Sequence, residues 1–408
     1  MSEELDFVLQ RLGDEDRPVR NISLAPLSGL TRDQMSLFRS VWVDLKAERR
    51  FEVIAELVEQ AEANVHLNFC TVLRNCLHDA DARVRKLAVE GLWEDCKPDL
   101  VSPLVSLLEG DPSTEVRAAA AISLGRFVLM GELGEISESA GSQAAAALRA
   151  AWFRPQEVNE VRRRALEGMA YTDEPDVQEF IRNAYYDEDE QMRQSAVFAM
   201  GSSGDRRWSK SVLTELGSPD AAMRFEAASA AGELALSGAV RPLVRLLDDP
   251  DSSVREAAAL ALGQIGGPQA RRALQAVAAG EDERLAQAAE DALQELSFNS
   301  ETADQPLLDF SDALAPKAGA ALDDADDDEA GGEEAIDGSG LFRAYADGFA
   351  VDEDSLLDEG FDGEDLYGDD DDGDGDEDDL DDGGEHENWD DDDDDEDEGE
   401  VDEAEDWN

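Results

Sequence analysis

Apolar residues return along this chain in two superimposed rhythms. Within a segment they recur three and four residues apart, as in Val254, Ala257, Ala258, Ala261 and Leu262. That spacing puts them on one face of an α-helix. Between segments the pattern returns after 31 residues, at Val161-Arg162, Met192-Arg193, Met223-Arg224 and Val254-Arg255. Val84-Arg85 and Val116-Arg117 precede this series, and Leu285 continues it with Ala286 in the Arg position. The segment at Val254 opens on the turn Asp249-Pro250-Asp251 and stops at Gly263 and Gly266-Gly267, residues that favour a helix C-terminus. A fixed period of this size predicts an all-α fold, an α-solenoid of stacked antiparallel helix pairs.

Each unit reads as two helices. The first carries runs such as Leu104–Leu108 or Leu243–Leu247. A turn follows, at Asp111-Pro112, Pro219-Asp220 or Asp249-Pro250, and the second helix holds the Val/Met-Arg step. One such hairpin cannot bury its apolar face alone, so stacking on both neighbours makes the core. Upstream, residues 1–30 are mixed and interrupted by Pro18 and Pro26, which predicts a loose N-terminal cap. Thr31 to Gln34 fits a capping box ahead of a helix through Leu45 that carries Met35, Phe38, Val41 and Trp42 on one side. Helices are expected next over Phe51–Glu62, the first degenerate repeat, and over Val65–Leu77. The period breaks once, with 45 residues between Val116 and Val161. The extra length falls in Gly125 to Pro155 and predicts a longer helix and loop, with a binding insertion as the alternative.

After Leu296 the repeats end. Residues 301–408 hold 49 acids and two bases, Lys317 and Arg343, a net of −47 out of −66 for the chain. The remaining −19 lies in residues 1–300. Charge of this sign in both parts argues against nucleic acid and favours basic partners. The division is therefore a cap at 1–30, a solenoid at 31–298 and an Asp/Glu-rich tail at 299–408, expected to be disordered. Within the tail, Leu341, Phe342, Tyr345 and Phe349 form an apolar island of the kind that folds on a partner. The linker from Leu296 to Leu341 has 44 residues. Its coil span is on the order of 40 Å, enough for the island to reach the repeats and compete with an external ligand at millimolar effective concentration.

No apolar run is long enough for a membrane span and the N-terminus carries no signal-peptide pattern. Three cysteines without framework spacing suggest a reducing cytoplasm, and a monomer is the simplest expectation.

The pattern Asp-Pro-x-x-x-Val-Arg-x-x-Ala-x-x-x-Leu-Gly, seen at Asp249–Gly263 and Asp111–Gly125, resembles HEAT repeats. The likeness is to the short bacterial and archaeal type named after phycobilisome lyases, over residues 50–297. Such repeats serve scaffolds and lyase subunits alike. Deoxyhypusine hydroxylase, a HEAT-like diiron enzyme, takes its metal ligands from paired His-Glu steps. Here His66 and His78 are not followed by Glu, and His386-Glu387 lies in the tail, so the resemblance does not imply that activity. No cofactor is expected.

Several constellations have a structural reading. The repeated Asp/Arg pairs Asp79/Arg85, Asp111/Arg117, Asp187/Arg193 and Asp249/Arg255 predict a ladder in which Arg pairs with Asp of its own or the adjacent repeat. His66, Cys70, Cys76, His78 and Cys96 cluster in sequence without zinc-ligand spacing. Asp370 to Gly375 imitates the start of a calcium loop, in a composition where chance produces it. Counting from each Val/Met anchor, positions +2, +6 and +9 should face a groove on the second helices. Trp93, Ile122, Arg163, Phe198, Phe225 and Leu260 are the candidates this phase selects. Such a line suits a helical or basic peptide. The function expected is a non-enzymatic scaffold for protein partners, and the alternative is a lyase-type or chaperone-like subunit acting on a protein-bound chromophore or cofactor.

Overall fold

The computed structural model describes residues 2–304 apart from 15–17 and 281, and these residues are all-α. After α1 (Ser2–Leu12) the helices pair in chain order. The first pair is α2 (Arg32–Trp42) with α3 (Ala47–Ala63), then α4 (Cys70–Cys76) with α5 (Ala82–Glu90) and α6 (Val101–Gly110) with α7 (Thr114–Glu132). Next come α8 (Glu138–Trp152) with α9 (Asn159–Met169), and α10 (Pro175–Tyr185) with α11 (Glu190–Ser202). The last are α12 (Ser209–Glu215) with α13 (Ala221–Glu233), α14 (Val240–Leu246) with α15 (Ser252–Ile265), and α16 (Pro268–Ala278) with α17 (Glu283–Asp304).

The second helices pack on one another in sequence, from α3 through α5, α7, α9, α11, α13 and α15 to α17. Missing side chains explain how closely they approach. A Cβ added to Gly125 would stand 2.8 Å from Gly168 Cα, and one on Gly201 would stand 2.7 Å from Ala230 Cα. Gly232 meets Ala261 and Gly263 meets Ala292 in the same way. The apolar anchors Val84, Val116, Val161, Met192, Met223 and Val254 are buried beneath this spine in one continuous core.

The N-terminal segment contributes to that core. Leu5, Val8, Leu9 and Leu12 of α1 are buried with the rest. Arg49 on α3 donates from Nε to the Leu12 carbonyl at 3.1 Å and from Nη2 to the Asp14 carbonyl at 3.2 Å. It thereby takes up carbonyls that α1 leaves open at its C-terminal end. The two prolines fall after α1, among short 3-10 turns. The capping box forms as the sequence predicts, with Thr31 and Gln34 bonded reciprocally. The helix expected from Val65 begins only at Cys70. Asn64 Oδ1 accepts from His66 N and Asn68 Oδ1 from Cys70 N, and these local bonds hold the chain in turns. The extra residues after Val116 lengthen a helical pair: α7 runs 19 residues and α8 runs 15, with Gly131 against Gly141 at their contact.

The Arg ladder has two arms. With Nη1, each Arg holds two carbonyls of the turn before its own helix. Arg85 takes Asp79 and Ala80, Arg117 takes Asp111 and Pro112, and Arg224 takes Ser218 and Pro219. Arg255 takes Asp249 and Pro250 in the same way. The other arm reaches forward to an acid of the next repeat. Arg85 binds Asp111 through two bonds of 2.7 Å, and Arg224 binds Asp249 through two of 2.8 Å. Arg117 reaches Glu157 and Arg255 reaches Asp282. The carboxylate of Asp249 also accepts from Asp251 N at 3.0 Å, so one acid orders a turn and ties two repeats. The bond from Arg224 is the main cause that holds the Asp249 carboxyl below the ordinary range.

Candidate functional site

The ladder changes character in the middle of the described chain. Arg162 donates to the Trp152 carbonyl at 3.1 Å and lies over the Trp152 ring. Arg193 holds the Asp187 and Glu188 carbonyls, and the position one period beyond Asp187 is Ser218, which offers no carboxylate. On the same three helices, α9, α11 and α13, polar side chains replace apolar ones on the face that packs between second helices.

Three anchors, Val161, Met192 and Met223, generate this seam at equal offsets. Three residues on from each stand Arg164, Ser195 and Glu226, where the flanking repeats have Leu87, Ala119 and Ala257. Ten residues on stand Tyr171, Ser202 and Glu233. Arg164 and Glu167 are buried and ion-paired at 3.0 Å, and Arg164 also bonds Glu160 at 3.1 Å. Ser195 donates to Glu167 at 2.5 Å across the α9–α11 contact. Ser202 and Glu233 approach to 3.5 Å across the α11–α13 contact.

Electrostatics along the seam is unusual for carboxylates. Glu226 is half-buried, with protein around most of it. Burial first, and then the negative charges of Glu167 and Glu233, push its carboxyl up to about 8 against the pull of Arg164 and Arg163. Burial likewise pushes Glu233 up to about 7, with the Ser202 hydroxyl opposing. The Tyr171 phenol is raised by burial and then by the charge of Glu233. At neutral pH, Glu226 is mostly protonated and Glu233 titrates. Groups poised in this way respond to an incoming positive charge by releasing protons.

Around the seam, the residues selected from sequence fall in different places. Phe198 on α11 and Phe225 on α13 are half-buried, and Phe225 packs against the core. Leu260 on α15 is 40% exposed. Trp93 and Ile122 are half-buried nearer the N-terminal end. Arg163 corrects the expected phase: it is 6% exposed and does not project into the groove. Its guanidinium donates to Glu160, three residues earlier on the same helix, at 2.8 Å and to Ser195 at 3.4 Å. Ala118, in the same phase on α7, is buried. Leu341, Phe342, Tyr345 and Phe349 lie outside the described residues, as do His386 and Asp370–Gly375.

Among the other clusters, Cys76 is buried, Cys70 half-buried and Cys96 exposed. His66 and His78 are exposed on separate turns. Among the described residues no three His, Cys, Asp or Glu side chains converge as a metal-holding group. No helix among them is long and apolar enough to cross a membrane.

Comparison with known proteins bears on the repeat. No curated protein matches the chain. Among solved structures, human deoxyhypusine hydroxylase is 20% identical, with 72% of this chain and 96% of that one covered and a TM-score of 0.30. Yeast importin-β (Kap95p) is 13% identical, covering 72% of this chain and 46% of that one at a TM-score of 0.43. The complex of CpcE and CpcF of phycocyanin lyase from Nostoc sp. is 18% identical, covering 56% and 88% at 0.42. The family model described as HEAT repeats matches residues 71–155 and 209–294. The matched blocks contain the Arg85, Arg117, Arg224 and Arg255 rungs, and the seam of α9 and α11 lies between them. These two blocks, made of the periodic hairpins, carry HEAT repeats.

Proposed function

We propose that this protein is a non-enzymatic scaffold that binds a protein partner along its second helices, centred on α9, α11 and α13. The observation that carries the reading is the seam itself. Two glutamates of raised pKa, Glu226 and Glu233, share α13 with the half-buried Phe225, and α13 packs on α11, which carries the half-buried Phe198. A purely structural repeat has no use for an acid at Glu226, where Ala257 serves one repeat later. An apolar helix face with one or two Lys or Arg side chains complements both features. The acidic residues 301–408 would add attraction for the same basic partners over a longer range, screened by salt.

A helical peptide bearing Leu, Phe and Lys provides the test, with an isomeric peptide bearing Glu for Lys as its counterpart. The Lys peptide should bind full-length protein at least about tenfold more tightly than the Glu peptide, the factor expected from about 1.4 kcal/mol of charge complementarity. Phe198→Ala with Phe225→Ala should remove most of that binding without altering the helical circular dichroism. Equal affinity of the double variant and the wild type would overturn the placement.

A further inference from the structure

A second polar constellation lies near the N-terminal end of the repeats, apart from the seam. Arg126 on α7 is 7% exposed. Its Nη2 donates to the Leu92 carbonyl at 3.1 Å and the Asp95 carbonyl at 3.2 Å. Its Nη1 is closed off from water and has no hydrogen-bond partner. The nearby carboxylate of Asp95 is already engaged, by two bonds from Arg74 at 2.6 and 3.0 Å. A buried guanidinium with an unused donor and no anion of its own is costly to a fold, and here it lies next to a thiol. Apart from burial, Cys96 is the group that acts most strongly on the Arg126 charge, ahead of Asp95 and Cys70.

Cys96 is exposed and lines an open pocket of about 400 Å³ with Cys70 and the charged residues Glu94, Asp95, Lys97 and Glu135. Cys70 is less accessible, and burial, then the charge of Asp95, raises its thiol. Cys76 is buried outright. One thiol of three therefore combines access from solvent with a neighbouring cation that has one unused donor.

We propose that Cys96 is a modification site, a nucleophilic thiol that exchanges with small disulfides, with Arg126 as the group that stabilises negative charge on its sulfur. In the step, Sγ loses its proton to water and forms a bond to one sulfur of the disulfide. The disulfide bond breaks, and the second sulfur leaves as a thiolate that takes up a proton from water. The result is a mixed disulfide at Cys96 and one free small thiol, with Arg126 keeping its charge throughout. The pocket accommodates the remainder of the reagent.

Oxidised glutathione is the probe, and peptide mass spectrometry after timed quenching is the readout on the full chain. Cys96 should acquire the adduct about tenfold or more faster than Cys70, and about tenfold faster than Cys96 does in the urea-unfolded chain. Arg126→Gln should lower the Cys96 rate toward the unfolded value, and Arg126→Lys should retain part of it. Where Arg126→Gln disturbs folding, the folded-to-unfolded rate ratio of the wild type decides the matter. Equal rates in folded and unfolded chains, or faster labelling of Cys70, would overturn the proposal.

Discussion

Arg224 and Arg193 occupy equivalent positions and differ in one partner, which makes them a controlled comparison. Arg224 has four bonds, two of them to the buried carboxylate of Asp249. Arg193 holds only turn carbonyls among the bonds found. Arg224→Ala is expected to cost about 1–3 kcal/mol, because it strands a buried acid, and Arg193→Ala distinctly less. Urea denaturation of the two variants checks this, and equal losses would show that the carboxylate arm contributes nothing. Glu226 makes the opposite case. Its folded-state pKa of about 8 lies above the usual 4.5, so the folded form holds its proton longer than the unfolded form. Stability should therefore fall as pH rises from the ordinary glutamate range through about 8. Glu226→Gln should flatten that slope and melt higher than the wild type at the alkaline end. A wild-type melting temperature that rises across this window, with no difference in the variant, would contradict the assignment.

At the scale of the element, the close contacts between second helices decide what substitutions the stack tolerates. Gly168 on α9 stands so near Gly125 that an added Cβ would sit 2.9 Å from its Cα and 2.8 Å from the Leu148 side chain. Gly168→Ala should cost about 1–3 kcal/mol by forcing the helices apart. Gly110, at the end of α6, has nothing within 4 Å of such a Cβ. Gly110→Ala should be neutral or stabilise by up to about 1 kcal/mol. Thermal melts of both variants settle the contrast. Much of this level was legible beforehand, since the 31-residue return of the Val/Met anchors fixes which helices stack. The partner of each Arg was not. An Arg six residues after an Asp is equally well placed, in sequence, for the acid of its own turn and for that of the next repeat. In the structure it uses one nitrogen for the near carbonyls and the others for the far acid. Of the positions that the groove phase selects, Leu260 is exposed, Phe198 and Phe225 are half-buried, and Arg163 is held inward by Glu160, a partner on its own helix. The seam escaped a reading made one helix at a time. Aligning repeats on their anchors exposes it, as Arg164, Ser195 and Glu226 in a column where Leu87, Ala119 and Ala257 flank them.

For the whole molecule, the described residues form one continuous core from Leu5 to Leu296, so that core is expected to fold without the acidic tail. The described part of α17 runs to Asp304, so a chain cut there keeps every described residue. A 1–304 chain should melt as cooperatively as the full chain and no lower, because removal of like charge relieves repulsion. The central claim, however, is that the middle of the second-helix spine receives a partner. Hydrogen exchange of the full chain with and without saturating Lys-bearing helical peptide tests it most directly. Added protection should be concentrated in α9, α11, α13 and α15, and lost in the variant carrying Phe198→Ala and Phe225→Ala. Protection confined to the first helices α10, α12 and α14, or identical exchange with and without bound peptide throughout residues 159–265, would contradict it.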